Sequence, residues 1–220
     1  MDVQTLFDNG EFDKVIDLLK DGEPNVNLAF AYQKTKQWEL GMNVWNALLV
    51  KSPENADYYN ERGVCKFNLR FKHAIQDFNK AVELEPNNPY RYASRAFVKD
   101  RMGDTKGGIE DYEIAVKLDP EDAISYNNLG LLQEKLGYQK SSKKNFAIAD
   151  ELAEENPDSL PKMQDKTENN ITPEKNNFPP ISPINEKTDN TFVSILKSVF
   201  TDKKTRSDFF AFIKNGFKIK

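Results

Sequence analysis

The sequence predicts an all-α solenoid, a stack of similar helix pairs, over the first 155 of its 220 residues. The first observation is a repeat of 34 residues: an apolar pattern over 74–86 recurs over 108–120, and each copy ends in a proline. The second is the spacing of the apolar residues within each copy, three and four apart, which is typical of an amphipathic helix. A fixed period of this length indicates repeated helix pairs that must stack to bury their apolar faces.

Two helix pairs that match the repeat only loosely are predicted before Pro53. A turn at Asn9-Gly10 separates two short helices within residues 2–20, and Gly22 interrupts the pattern after them. Apolar residues at helical spacing mark the second helix of the first pair and both helices of the next: Phe12, Val15, Ile16 and Leu19; Leu28, Ala29, Ala31 and Tyr32; Trp38, Met42, Trp45, Leu48 and Leu49.

Three clearer repeats follow over residues 56–154. In the first helix of each, an aromatic residue precedes a small residue by four positions: Tyr59 and Gly63, Tyr92 and Ala96, Tyr126 and Gly130. In the second helix, small, aromatic and small residues recur: Ala74, Phe78 and Ala81; Gly108, Tyr112 and Ala115; Ser142, Phe146 and Ala149. Small residues let neighbouring helices approach closely, and aromatic rings are expected to fill the gaps between successive pairs.

The repeats depart from a uniform pattern at two places. Gly103 and Gly137 mark the turns of the last two repeats, whereas the repeat over 56–86 lacks one residue at its turn and reads Leu69-Arg70-Phe71 without a glycine. The last repeat lacks the closing proline, which is expected of a terminal helix that caps the stack.

This pattern resembles the tetratricopeptide repeat (TPR) family over residues 1–155. The resemblance implies a right-handed superhelix in which the first helix of each pair lines a concave groove that binds a protein or peptide. Carried over by phase, the groove residues are Asn60, Val64, Phe67, Phe97, Arg101, Asn127, Asn128 and Leu131. Asparagine can hydrogen-bond a peptide backbone, and Phe or Leu can hold an apolar side chain. The alternative is that Phe67, Phe97 and Leu131 belong only to the core.

Some family members use lysine, arginine and asparagine in this groove to hold an acidic chaperone C-terminus. The corresponding positions here are Val26, Phe30, Ser94 and Ile124, and only Asn128 is polar in the right phase. We therefore do not expect that kind of clamp.

Residues 156–190 are predicted to be a disordered linker. The segment contains six prolines and many Asn, Lys, Glu and Asp residues, and large apolar residues are sparse. Such a composition cannot bury enough surface to offset the entropy lost on ordering.

Residues 191–220 are predicted to form a short helical hairpin, a basic and Phe-rich amphipathic tail. Its net charge of +5 contrasts with −9 for the rest of the chain. The residues predicted to dock it are Phe192, Leu196, Phe200, Phe209, Phe212 and Ile213. Three uses stay open: packing on the repeat body, binding a protein partner, or binding an anionic membrane surface.

Residues for catalysis or metal binding are scarce, so we expect no enzyme, metal, cofactor or small-molecule substrate. His73 is the only histidine and Cys65 the only cysteine, too few for a zinc site or an activated nucleophile. We expect His73 to be solvated and Cys65 to pack in a helix interface. The carboxylates Glu83, Glu85, Asp111 and Glu113 are expected on solvated helix faces.

Together these observations favour a cytoplasmic scaffold that binds a protein or peptide in the groove, with the tail as an internal lid or second docking element. The alternative is a peripheral membrane adaptor anchored by the tail. The acidic body disfavours nucleic acid. The single cysteine and the absence of a visible secretory signal or of an apolar stretch long enough to span a bilayer support the cytoplasmic expectation.

Overall fold

A computed structural model describes residues 2–155, and this part of the chain is built entirely of α-helices and their connections. The helices are α1 Val3–Asp8, α2 Phe12–Leu19, α3 Val26–Lys34, α4 Trp38–Lys51, α5 Ala56–Asn68, α6 Ile75–Leu84, α7 Pro89–Arg101, α8 Thr105–Leu118, α9 Ala123–Lys135 and α10 Gln139–Glu155. The predicted all-α repeat fold is thus confirmed here. The predicted linker, 156–190, and tail, 191–220, lie outside the described residues.

Consecutive helices pack against each other along the whole series. Because their connections are short, neighbouring helices run antiparallel, and the connections alternate between two edges of the solenoid. We call one the turn edge, made of the connections within pairs: 9–11, 35–37, 69–74, 102–104 and 136–138. The other is the loop edge, made of the connections between pairs: 20–25, 52–55, 85–88 and 119–122.

Every connection on the turn edge has the same backbone geometry. Each contains one residue in the left-handed region: Gly10, Lys36, Arg70, Gly103 and Gly137, with φ between 60° and 95°. Two hydrogen bonds close each turn; in the third pair Arg70 N donates to Phe67 O and Phe71 N donates to Lys66 O, both at 2.9 Å. Arg70 therefore occupies the position of the turn glycine.

The turn of the repeat over 56–86 is complete, which differs from the sequence prediction. The missing residue lies after the turn, because α6 begins only at Ile75, five residues past Arg70, whereas α8 begins two residues past Gly103. Helix α8 has the N-cap Asp104, whose side chain accepts a hydrogen bond from Gly107 N, whereas α6 has no side-chain cap. The deletion thus shortens the start of α6.

The first helices of the last four pairs begin with the same kind of cap. Asn25, Asn55, Asn88 and Asp122 precede α3, α5, α7 and α9, and each side-chain oxygen accepts a hydrogen bond from a backbone N–H in the first turn. An Asn or Asp cap satisfies an N–H that has no partner within the helix. These caps fix where each first helix starts on the loop edge.

The small residues of the repeat are required by close packing within each pair. A Cβ atom placed on Gly63 would lie 2.8 Å from the ring of Phe78, and one on Gly130 would lie 2.6 Å from the ring of Phe146. Gly108 is closely packed on two sides, since its Cβ would lie 3.0 Å from Ala96 O in its own pair and 3.0 Å from Leu132 Cδ1 in the next pair. The close approach predicted at the small residues is confirmed. The rings of Phe78 and Phe146 contact the glycine of their own pair, whereas Tyr112 belongs to a cluster with Leu129 and Leu132 of the next pair, so the predicted place of the rings between pairs fits Tyr112 only.

Each of two consecutive pairs contains a buried charged site between its two helices. Arg62 Nε and Nη2 donate to the two carboxylate oxygens of Asp77, both at 2.8 Å, and Lys66 Nζ lies 2.9 Å from Oδ2. One pair later, Asp111 binds Arg95 and Lys99 in the same way, at 2.7 to 2.9 Å.

The prediction that Asp111 lies on a solvated helix face is wrong, because it is only 2% exposed. Its two cationic partners compensate the loss of hydration. Glu83 and Glu113 are exposed as expected, whereas Glu85 is half-buried and accepts a hydrogen bond from Arg91 Nε at 2.8 Å.

The equivalent site in the flanking pairs is uncharged. In the last pair Leu129, Gln133 and Asn145 occupy these positions, and Asn145 Nδ2 donates to Gln133 Oε1 at 2.8 Å. In the second pair the positions hold Leu28, Tyr32 and Val44, which belong to an apolar cluster: Leu6, Val15, Ile16, Leu28, Ala31 and Tyr32, with Val44 among the residues packed against it. The same three-residue site of the repeat thus holds apolar contacts in one pair, an ionic network in two pairs and an amide hydrogen bond in the last pair.

Candidate partner-binding surface

The predicted groove residues lie on α5, α7 and α9. Val64, Phe97 and Leu131 occupy equivalent positions in consecutive repeats, 33 and 34 residues apart, so they share one face of the solenoid, which we call the first-helix face. Phe97 is 46% exposed and Leu131 is 48% exposed, whereas Val64 is half-buried. The interpretation that these residues belong only to the core therefore does not fit Phe97 and Leu131.

Two further exposed apolar residues extend this face. Tyr90 is 54% exposed and Ile124 is 42% exposed, and each lies seven residues before Phe97 or Leu131 on the same helix. Seven residues are two helical turns, which brings both members of each couple to one side. Sequence reasoning missed Tyr90 as a surface residue because Tyr92 carries the repeat signal; the seven-residue spacing is the signal that could have found it.

Aromatic contacts join α5 and α7 on the first-helix face. The rings of Phe67 and Phe97 meet edge to face, with centroids 6.3 Å apart at 70°. The guanidinium of Arg101 lies 5.1 Å from the centroid of the Phe97 ring. Aromatic pairs favour this geometry, and a cation over a ring adds attraction. Three of the predicted groove residues are therefore in one connected cluster.

The predicted asparagines lie at different depths. Asn60 is only 1% exposed, and its Nδ2 donates to Glu61 Oε1 at 3.1 Å and to Tyr90 Oη at 3.4 Å. Its Oδ1 is buried without a hydrogen-bond partner among the described residues. Asn127, in contrast, is exposed. Asn60 is thus buried beneath the first-helix face, whereas Asn127 is exposed on it.

Asn128 is half-buried, and its side chain makes a hydrogen bond with the phenol of Tyr112. Burial raises the pKa of Tyr112 to about 12, and a hydrogen bond from the Asn128 side chain partly opposes that rise. Tyr112 therefore stays neutral over the physiological range, and one hydrogen-bonding group of Asn128 is already engaged.

A buried polar cluster lies between α3 and α5. Gln33 Nε2 donates to the backbone oxygen of Glu61 at 3.1 Å, to Glu61 Oε2 at 3.2 Å and to Cys65 Sγ at 3.4 Å. Burial raises the pKa of the Glu61 carboxyl, and it raises that of the Cys65 thiol to about 12. A thiol with so high a pKa is a packing group, as predicted, since the thiolate is the reactive form.

His73 is exposed on the turn edge, and its ring stacks on Phe71 with centroids 5.7 Å apart. Within residues 2–155, no group of three or more His, Cys, Asp or Glu side chains is arranged to hold a metal ion. The same residues include no helix that is both long and apolar enough to cross a bilayer.

Comparison with solved structures finds the same fold in MamA. One crystal structure of MamA is 24% identical, with a TM-score of 0.61, and the match covers 72% of this chain and 98% of that one. MamA 41-end from Desulfovibrio magneticus RS-1 is 20% identical, also with a TM-score of 0.61, over 70% of this chain and 92% of that one. None of the curated proteins matches this sequence.

Family comparison identifies two repeats directly. A model described as "Tetratricopeptide repeat" matches residues 56–88, and one described as "TPR repeat" matches residues 101–137. Both fall within the three clearer repeats, and helix pairs of the same geometry continue on either side of them. The chain is therefore a tetratricopeptide repeat protein.

Proposed function

We propose that this protein is a non-enzymatic scaffold that binds a protein or peptide on the first-helix face. The observation that carries the proposal is the set of four large apolar side chains exposed there in register: Tyr90, Phe97, Ile124 and Leu131. Exposed apolar residues that recur in phase form a continuous surface, whereas isolated ones need no explanation.

The size of these side chains suits a peptide ligand. Complete burial of a Leu or Phe side chain contributes roughly 1.5–3 kcal/mol, so covering the exposed half of each would contribute about half as much. Four such contacts offset part of the free-energy cost of ordering a peptide. Asn127 and Arg101 are exposed on the same helices and could hydrogen-bond its backbone or carboxylates.

The groove proposal can be tested with peptides selected from a random display library on the full-length protein. We expect Phe97→Ser and Leu131→Ser each to weaken the selected peptides by about tenfold or more. Ile114→Ser is the matched control, because Ile114 is 38% exposed but lies on the second helix α8. Equal affinity of the selected peptides for all three variants would contradict the proposal that they bind on the first-helix face.

A finer proposal is that the tail, residues 191–220, occupies this face as an internal lid. The tail carries a net charge of +5 and residues 1–155 carry −7, so the two attract each other. A connecting segment of 35 residues, 156–190, keeps the effective concentration of the tail high. Removing the tail should then raise peptide affinity; unchanged affinity and unchanged stability would exclude the lid.

The second candidate is a peripheral membrane adaptor held by the same tail. Its support is the combination of basic charge and six phenylalanines within 191–220. Vesicle binding that disappears with the tail and weakens with salt would favour this candidate over the lid.

A further inference from the structure

A lysine recurs with the period of the repeat, either in a connection of the turn edge or at the start of the helix that follows it. Lys72, Lys106 and Lys140 are separated by 34 residues each, and all three are exposed. Lys106 and Lys140 are the second residues of α8 and α10, and Lys72 lies in the connection just before α6. Each is two residues before the first small residue of its second helix: Ala74, Gly108 and Ser142.

Helix stability does not account for this lysine. The N-terminus of a helix carries a partial positive charge, so a lysine there is unfavourable and an acidic residue is favourable. The equivalent residue of α4 is Glu39, which follows that rule. Lys106 and Lys140 nevertheless lie in the first turn of their helices, where the dipole disfavours a lysine, and Lys72 lies three residues before α6. The recurrence of the lysine therefore points to a ligand outside the chain.

Charge is separated between the two edges of the solenoid. Counted over each connection and the two residues on either side of it, the turn edge from the second pair onward carries four acids, Glu39, Asp100, Asp104 and Glu134, and eight cations: Lys34, Lys36, Arg70, Lys72, Arg101, Lys106, Lys135 and Lys140. Two of these acids are engaged, Asp100 with Lys135 and Asp104 as a helix cap. The turn of the first pair is acidic, with Asp8, Glu11 and Asp13. Counted in the same way, the loop edge carries three cations, Lys20, Lys51 and Lys117, and nine acids: Asp21, Glu23, Glu54, Asp57, Glu83, Glu85, Asp119, Glu121 and Asp122.

Exposed aromatic rings accompany the lysines on the turn edge. Phe71 is 39% exposed and directly precedes Lys72; Tyr138 is 49% exposed and precedes Lys140 by two residues. Both follow the left-handed residue of their turn, two repeats apart. Tyr138, Lys140 and Lys144 also line a shallow cavity at the start of α10. Aromatic rings beside lysines at turn tips are the combination found where proteins enter the interface of an anionic bilayer.

We propose that the turn edge docks on an anionic lipid bilayer, with the acidic loop edge facing away. Successive turns place their lysines and rings along one edge of the helix stack, and an anionic bilayer carries negative charge spread over its surface. Nucleic acid fits less well, because rings that recur only in alternate repeats do not make a continuous platform for stacked bases. The three lysines are not among the residues of the first-helix face, although Arg101 belongs to both surfaces, and the proposal does not require the tail.

The test is co-sedimentation of the full-length protein with phosphatidylcholine vesicles, with and without phosphatidylserine. We expect the triple variant Lys72→Glu, Lys106→Glu, Lys140→Glu to lose binding to the anionic vesicles by about tenfold or more. The matched control, Lys14→Glu, Lys80→Glu, Lys117→Glu, changes net charge equally on the second helices α2, α6 and α8 and should lose much less. Thermal unfolding verifies that both variants are folded.

A second variant separates insertion from simple attraction. Phe71→Ser with Tyr138→Ser leaves the charge unchanged and should weaken binding most at high salt, where the electrostatic contribution is screened. Equal losses in the two lysine variants, or equal binding to neutral and anionic vesicles, would overturn the proposal. The triple variant Lys72→Glu, Lys106→Glu, Lys140→Glu should also be tested for binding to duplex DNA and to polyglutamate. If it still binds vesicles but loses one of these polymers, the proposal is overturned in favour of that polymer.

Discussion

The buried Asp111 shows how a single residue ties two helices of a repeat together. It accepts hydrogen bonds from Arg95 and lies within an ion-pair distance of Lys99, and Arg95 Nη1 reaches back to Asn79 Oδ1 at 3.2 Å on the preceding second helix. Asp77 repeats the arrangement with Arg62 and Lys66. Each site thus fixes the pairing of α5 with α6, or of α7 with α8, and its contact to the previous pair.

We predict that Asp111→Ala destabilises the protein by about 3 kcal/mol, because it leaves two partly buried cations without their partner. Glu113→Ala, on the exposed side of the same helix, should change the free energy of unfolding by less than about 0.5 kcal/mol. Urea unfolding followed by circular dichroism measures both changes.

A triple substitution tests the charge itself. Arg95→Leu, Lys99→Gln and Asp111→Asn together transplant the residues that the last pair has at Leu129, Gln133 and Asn145. Since replacing a buried ion network by well-packed neutral groups is often nearly neutral, this variant should recover most of the stability lost in Asp111→Ala. A triple variant as unstable as Asp111→Ala would contradict the equivalence of the two sites.

At the scale of the element, the unit of the fold is a helix pair closed by one left-handed residue. Glycine supplies it in three turns, whereas Lys36 and Arg70 adopt the same conformation at φ 60° and 62°. A residue with a Cβ atom is strained there by about 1 kcal/mol. The turn geometry is therefore imposed by the packing of the two helices, and glycine only lowers its cost.

Two opposite substitutions test this explanation. Lys36→Gly should stabilise the protein by roughly 0.5–1 kcal/mol, because it removes the strain of the left-handed conformation. Gly137→Ala should destabilise it by about 1 kcal/mol, since φ at Gly137 is +80°. Thermal unfolding of the two variants checks both signs; destabilisation by Lys36→Gly would show that the Lys36 side chain contributes more than the strain costs.

At the scale of the whole molecule, the periodic features could be predicted from sequence and the polar contacts could not. The 34-residue period identifies the small residue Gly63 and the aromatic residue Phe78, whereas their contact within one pair could not be predicted from the period. A buried Asp111 and an exposed Glu113 look alike in a single sequence. The signal lies in recurrence: Arg, Lys and Asp recur together at 62, 66 and 77 and at 95, 99 and 111.

For the predicted surface residues, the repeat pattern indicates which face a residue lies on but not how deeply it is buried. Phase placed Phe97 and Leu131 on an exposed face, because equivalent positions in a solenoid face the same direction. Phase could not distinguish the buried Asn60 from the exposed Asn127, because their exposure depends on neighbours such as Tyr90 that differ between repeats. Depth within the face is set by side-chain size in the adjacent repeat, which the repeat pattern does not encode.

Amide hydrogen exchange shows whether the tail, residues 191–220, covers the first-helix face. The full-length protein is compared with a chain that ends at Asn156. If the tail covers that face, exchange should be faster in α5, α7 and α9 of the shorter chain and unchanged in α6 and α8. Identical exchange in the two chains, or changes confined to α6 and α8, would show that the tail does not cover the first-helix face.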